Sequence, residues 1–234
     1  MWKLLIFAIL LQANDNKALA SIVDVQGRQN DIKGPSSHIM ENLAKHTHKI
    51  AEDLTSQLSN KIEVISQTII GDIEVIIDSA LDLLTQPIIE MQTALEKPEC
   101  QRLLTMDDLR ERIDSQLSDC TRNLNDLLNN FQNDSMEITK SLELGSQQIA
   151  NLPSQCEKTE YSFATLTACF IEKMSELNRD LAVLLNRASM QILQTHQLAN
   201  VNTEASRTCA DKVVDETVAY MDRILETCHN NNVK

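Results

Sequence analysis

Apolar residues recur at intervals of three and four through most of this chain, the spacing that lines one face of an α-helix. The longest such stripe runs from Leu43 through Leu58, Ile69, Ile76 and Leu84 to Leu95. Between Ile69 and Leu84 it widens to take in Ile70, Val75, Ile77, Leu81 and Leu83, which predicts burial on more than one side there. Gly34-Pro35-Ser36-Ser37 precedes the stripe, and a serine can cap the first exposed N–H groups, so a helix is expected from about His38. Pro87 lacks a backbone N–H and clashes with the preceding turn, so a kink or break is expected near 84–87.

A second stripe holds Met106, Leu109, Ile113, Leu117, Cys120, Leu124, Leu128 and Phe131. It opens with Thr105-Met-Asp-Asp108, a capping-box pattern with acids placed where the helix dipole favours them. The segment 145–153, from Gly145 to Pro153, is expected to hold a chain reversal. Ser154-Gln-Cys-Glu157 then reads as a capping box opening a third helix, with Phe163, Leu166, Phe170, Leu177, Leu181 and Leu184 on one face. Asn200 to Thr203 is expected to break it, and a last helix carries Cys209, Val213, Thr217, Tyr220, Ile224 and Cys228 on one side.

The predicted class is therefore all-α: a long N-terminal amphipathic helical arm plus a disulfide-stapled antiparallel helical bundle. The expected segments are a signal peptide at 1–20, a flexible leader at 21–37, the arm at 38–97, a six-cysteine domain at 98–229 and a tail at 230–234. Only four Gly, four Pro and 3% aromatic residues agree with long helices having Leu/Ile cores.

Lys3 followed by the apolar run Leu4–Leu11 and by Ala18-Leu19-Ala20 reads as a secretory signal, with cleavage between Ala20 and Ser21. The expected localisation is secreted and extracellular, with no membrane span after signal removal. Six cysteines behind such a signal read as three disulfides: Cys100, Cys120, Cys156, Cys169, Cys209 and Cys228. With the reversals at 145–153 and 199–203, helix geometry disfavours bridges between sequential cysteines, and the expected pairing is Cys100–Cys209, Cys120–Cys169 and Cys156–Cys228. Asn133-Asp134-Ser135 is a glycosylation sequon, expected at a weak point of the second helix.

The formal charge is −13, which argues against nucleic acid and anionic membrane as partners. The five histidines form no H-E-x-x-H pattern, and there is no G-x-S-x-G elbow or glycine-rich phosphate loop. No catalytic residue, metal ligand or cofactor is assigned, and an enzyme is not expected.

The run from Cys100 to Cys228, with Cys209-x18-Cys228 around Tyr220 and Cys156…Cys169 upstream, resembles the TsetseEP domain, a secreted helical domain of insects. The resemblance covers about 130 residues, leaves the arm unexplained and lacks the Glu-Pro repeat that names the family. It implies a helical domain and an insect source, and it brings no activity or binding residues. The expected function is a secreted, non-enzymatic structural or protein-interaction role in an insect body fluid, gut or reproductive tract, with the 38–97 arm either folding back on the stapled domain or pairing with a second arm in self-association. The alternative is a carrier of small apolar ligands or lipid in a helical-bundle cavity.

Overall fold

A computed structural model describes residues 34–97, 100, 104–159 and 162–231. The expected signal peptide, the cleavage point at Ala20–Ser21 and most of the leader lie outside the described residues, as does the end of the tail.

The described chain forms three long helices: α1 (Gly34–Leu95), α2 (Met106–Thr159) and α3 (Phe163–Asn231), with no strand among the described residues. At 1.5 Å per residue their 62, 54 and 69 residues correspond to roughly 80–100 Å each. All three pack side by side, α1 and α3 running one way and α2 the other. The all-α, disulfide-stapled antiparallel bundle expected from the stripes is what forms. The arm is one of its three staves: it lies folded back along α2 and α3, and residues of 38–97 and 98–229 share the same cores.

Register is set by cross-helix pairs. Ser37 donates to Glu157 at 2.8 Å and His48 meets Ser146 at 2.7 Å, and both pairs of residue numbers total 194, the mark of an antiparallel α1–α2 seam. The α1–α3 seam is parallel, with Thr203 donating to Asp72 at 3.0 Å across 131 residues. Two apolar clusters stack along the rod. The upper one holds Met40, Ala44, Ala51 and Leu58 of α1 with Ile149 and Leu152 of α2 and Phe170 and Met174 of α3. The lower one holds Ile69, Ile76, Leu84 and Met91 with Leu109, Ile113 and Leu124 and with Val213 and Met221. Buried Ser66, Ser135 and Thr195 lie at the height between them, around Phe131.

Several local expectations are corrected. Helix α1 begins at Gly34, so the expected leader boundary at 37 falls inside it, and it passes through Pro87 without ending. Leu84 and Met91 on either side of that proline are fully buried, and their burial outweighs the lost hydrogen bond. Near its start the inward face is Met40, Ala44 and Ala51, while Leu43 is exposed. No reversal occurs at 145–153: α2 runs through Gly145 and Pro153 to Thr159, and the supposed capping box at Ser154–Glu157 is mid-helix. Ile149, Leu152 and Cys156 around Pro153 are all buried, which holds that segment helical. Asn200–Thr203 is not a break either, because α3 is continuous from 163 to 231 and Ala199 and Thr203 face inward.

The α2–α3 reversal instead lies between Thr159 and Phe163, where Ser162 caps the next helix: its Oγ accepts from the Thr165 N–H at 3.3 Å. The cap at Thr105 forms as read, its Oγ1 accepting from the Asp108 N–H at 3.1 Å.

Moving the reversal changes the disulfides. The bridges are Cys100–Cys228, Cys120–Cys209 and Cys156–Cys169, with Cα separations of 5.3, 5.5 and 6.0 Å. None of the expected pairs Cys100–Cys209, Cys120–Cys169 or Cys156–Cys228 occurs. In an antiparallel pair, facing residues lie at equal distances from the turn. The residue numbers of the bridged pairs total 328, 329 and 325, nearly the constant value that an antiparallel α2–α3 seam requires, with the reversal between Thr159 and Phe163. The sequential pair Cys156–Cys169 bridges because the two residues flank the turn and are not on one straight helix.

Candidate functional site

Each of the six cysteines is in a bridge, so none offers a free thiol. Cys100, Cys120, Cys156 and Cys228 are buried, while Cys169 and Cys209 are half-buried at the edges of the cores. Two bridges tie the lower half of the rod and one ties the α2–α3 turn at the top. Helix α1 carries none. Its covalent anchor is Cys100, five residues beyond its last residue, Leu95. Lower down, the Arg112 guanidinium stacks over Tyr220 at 4.6 Å and adds a cation–π contact between α2 and α3.

Among the described residues, the arrangement with the outline of nucleophilic chemistry is Ser146, His48 and Glu52. His48 Nδ1 lies 2.7 Å from Ser146 Oγ and 3.0 Å from Ser146 O, and His48 Nε2 lies 3.2 Å from Glu52. Ser146 is 3% exposed, and its hydroxyl also faces the His48 carbonyl at 3.4 Å. Both residues sit in helix interiors, where backbone N–H groups are committed to the i−4 carbonyls, so no donors converge on a reacting oxygen. The trio works as a polar clip between α1 and α2. Two other histidines engage their own helices: His38 is 3.8 Å from Glu41, and His229 Nδ1 is 2.9 Å from the Leu225 carbonyl. Among the described residues no three His, Cys, Asp or Glu side chains come together as metal ligands.

Asn133 projects from the outer face of α2 and is exposed, next to Asp134, whose carboxylate accepts from Gln191 at 3.2 Å. The expected weak point there is absent, since α2 continues through it. No described helix is long and apolar enough to cross a membrane.

Sequence reading missed one feature. Between α1 and α3 lies a cleft of about 120 Å³, lined by Leu54, Leu58, Lys61, Leu185, Ser189 and Ile192. Its signal in the chain is Ser189, an exposed small polar residue beside the Leu/Ile stripe of α3, and it acquires meaning only once α1 is known to lie against it. The outer faces also keep apolar side chains in solvent, among them Val64 and Val75 on α1 and Val183, Met190 and Val201 on α3.

Comparison with known proteins returns no matching family model, curated protein or solved structure.

Proposed function

We propose that this chain is a secreted, non-enzymatic protein with a structural or protein-interaction role in an insect body fluid, gut or reproductive tract. The observation that carries the reading is the use of all six cysteines in intramolecular bridges, which form and persist in oxidising compartments. It agrees with the secretory signal in residues 1–20. The insect setting rests on the resemblance of Cys100–Cys228 to the TsetseEP domain. A stapled rod of three long helices offers extended surface and little enclosed volume, which suits display and contact more than catalysis. Helix α1 spends its apolar stripe inside the chain, so self-association through 38–97 has the outward residues Val64, Val75 and Ile89 to use. Asn133, exposed on α2, is the position for a glycan.

Expression from the full coding sequence in insect cells tests the compartment. Secreted protein should begin at or near Ser21, and glycosidase treatment should lower its mass through Asn133. Retention inside the cell, or secreted material still carrying Met1, defeats the secretory reading. The mature protein used as bait in native tissue fluid then tests the interaction role. A partner retained by the oxidised protein and lost on reduction supports it. Equal capture by oxidised and reduced bait counts against it.

A further inference from the structure

The α1–α3 seam has a defect with a definite cause. Three residue pairs across the cleft, Leu54/Leu185, Leu58/Ser189 and Lys61/Ile192, each differ by 131, the same offset as the hydrogen-bonded pair Asp72/Thr203. They are successive steps of one parallel register, at helical spacings of four and three. In such a seam each level is filled by two apolar side chains meeting. At the level of Leu58 the α3 residue is Ser189, whose short side chain turns back to its own helix and donates to the Leu185 carbonyl at 2.8 Å. The space a leucine would fill stays open, walled by Leu54, Leu58, Leu185 and Ile192.

The mouth of the cleft is electrostatically unlike the rest of the molecule. Lys61 stands at its rim and is the sole basic residue of α1 between Lys49 and Lys97. Opposite, the stretch 181–203 of α3 contains no Asp or Glu, although the whole chain has 34. The residues lining the cleft include one cation, Lys61, and no carboxylate, in a chain of formal charge −13.

Beneath the cleft, α1 is the element best able to yield. To the upper cluster it contributes Met40, Ala44, Ala51 and Leu58, against Ile69, Ile76, Leu84, Met91 and Leu95 in the lower one. No bridge ties its upper half. The polar ties that hold it to α2 are the His48–Ser146 clip and the Ser37–Glu157 hydrogen bond. With less apolar area to uncover, this half of α1 opens at lower free-energy cost than any bridged segment.

We propose that this seam is a binding site for a single-chain anionic amphiphile, a free fatty acid, with its carboxylate on Lys61 and its chain entering at Ser189 and running under the upper half of α1. The first methylenes occupy the existing cleft, and the rest are accommodated as α1 moves aside from Leu184 and Leu181, within about 12 Å of Ser189 along α3. Lys61 already engages a neighbour within the chain, and the carboxylate joins or replaces that interaction. This activity goes beyond the structural role above and does not depend on it.

The test uses the mature, oxidised, delipidated protein and a dansyl-labelled undecanoic acid as probe, displaced by dodecanoate or by dodecanol. The wild type should bind the probe saturably. Lys61→Glu should weaken dodecanoate by about tenfold, the loss of one partly desolvated ion pair, and leave dodecanol within about twofold. Ser189→Phe fills the cleft from an exposed position, so the fold is kept and both ligands should lose affinity. Circular dichroism on each variant confirms retained helix. Absence of saturable probe binding by the wild type overturns the proposal. So does equal dodecanoate affinity in Lys61→Glu and wild type, or unchanged binding by folded Ser189→Phe.

Discussion

Removing bridges one at a time should separate loop closure from packing as the source of their stabilisation. Cys120–Cys209 and Cys156–Cys169 are well matched for this, because each joins one buried and one half-buried cysteine. Their loops differ, spanning 89 and 13 residues. The bridges are nested, however. Cys100 and Cys120 are 20 apart and Cys209 and Cys228 are 19 apart, so with Cys100–Cys228 intact the Cys120–Cys209 bond closes a ring of about 40 residues. The chain-entropy treatment then gives about 3.9 kcal/mol for this bridge and about 2.9 kcal/mol for Cys156–Cys169. Removing both lower bridges opens the long loop as well and should cost about 8.5 kcal/mol, more than twice either alone and comparable to the whole stability of a typical domain. Urea unfolding of the paired Cys→Ala variants, followed by circular dichroism, gives the comparison. Both single-bridge variants should stay folded, with Cys120/Cys209→Ala the weaker. The variant lacking Cys100–Cys228 and Cys120–Cys209 should lose cooperative unfolding. If that variant unfolds cooperatively with a loss close to one bridge, or if Cys156/Cys169→Ala is the most destabilised, loop closure is not what these bonds contribute.

Four further substitutions probe the helices. Gly71→Ala should stabilise by about 0.5–1 kcal/mol, since a Cβ there meets nothing within 4 Å, whereas at Gly145 it meets Leu181 Cδ2 at 2.8 Å and the gain should largely vanish; paired thermal melts decide. Pro87→Ala restores a donor for the Leu83 carbonyl at a half-buried site inside α1 and should raise stability by up to about 3 kcal/mol, with an unchanged melting temperature refuting the strain assigned to that proline. Thr217 is buried, with its hydroxyl unpaired among the described residues, so Thr217→Val should stabilise by about 1 kcal/mol in urea unfolding; a loss would mean that the hydroxyl has a partner.

The sequence by itself determined the class of this protein. Stripes at three and four, few breakers and scarce aromatics leave helix as the one regular structure that buries the Leu and Ile residues. The cap at Thr105 is legible because its groups lie within one turn of each other. The inward side of Cys209, Val213, Thr217 and Cys228 is legible for the same reason. What the tertiary structure decided is where the helices end and what each faces. Ser154-Gln-Cys-Glu157 and Ser162-Phe-Ala-Thr165 are comparable local start signals, and a proline stands just before the first. The choice between them depends on whether Ile149, Leu152 and Cys156 gain more from packing on α1 and α3 than Pro153 costs, and those partners are far away in the chain. Everything downstream inherits that choice. The reversal between Thr159 and Phe163 sets the α2–α3 register, the register selects the cysteine partners, and the parallel seat of α1 turns Ser189 from an ordinary polar position into a gap in a seam. Local composition carries no information about such a gap, because it is a property of two side chains 131 residues apart meeting at one level.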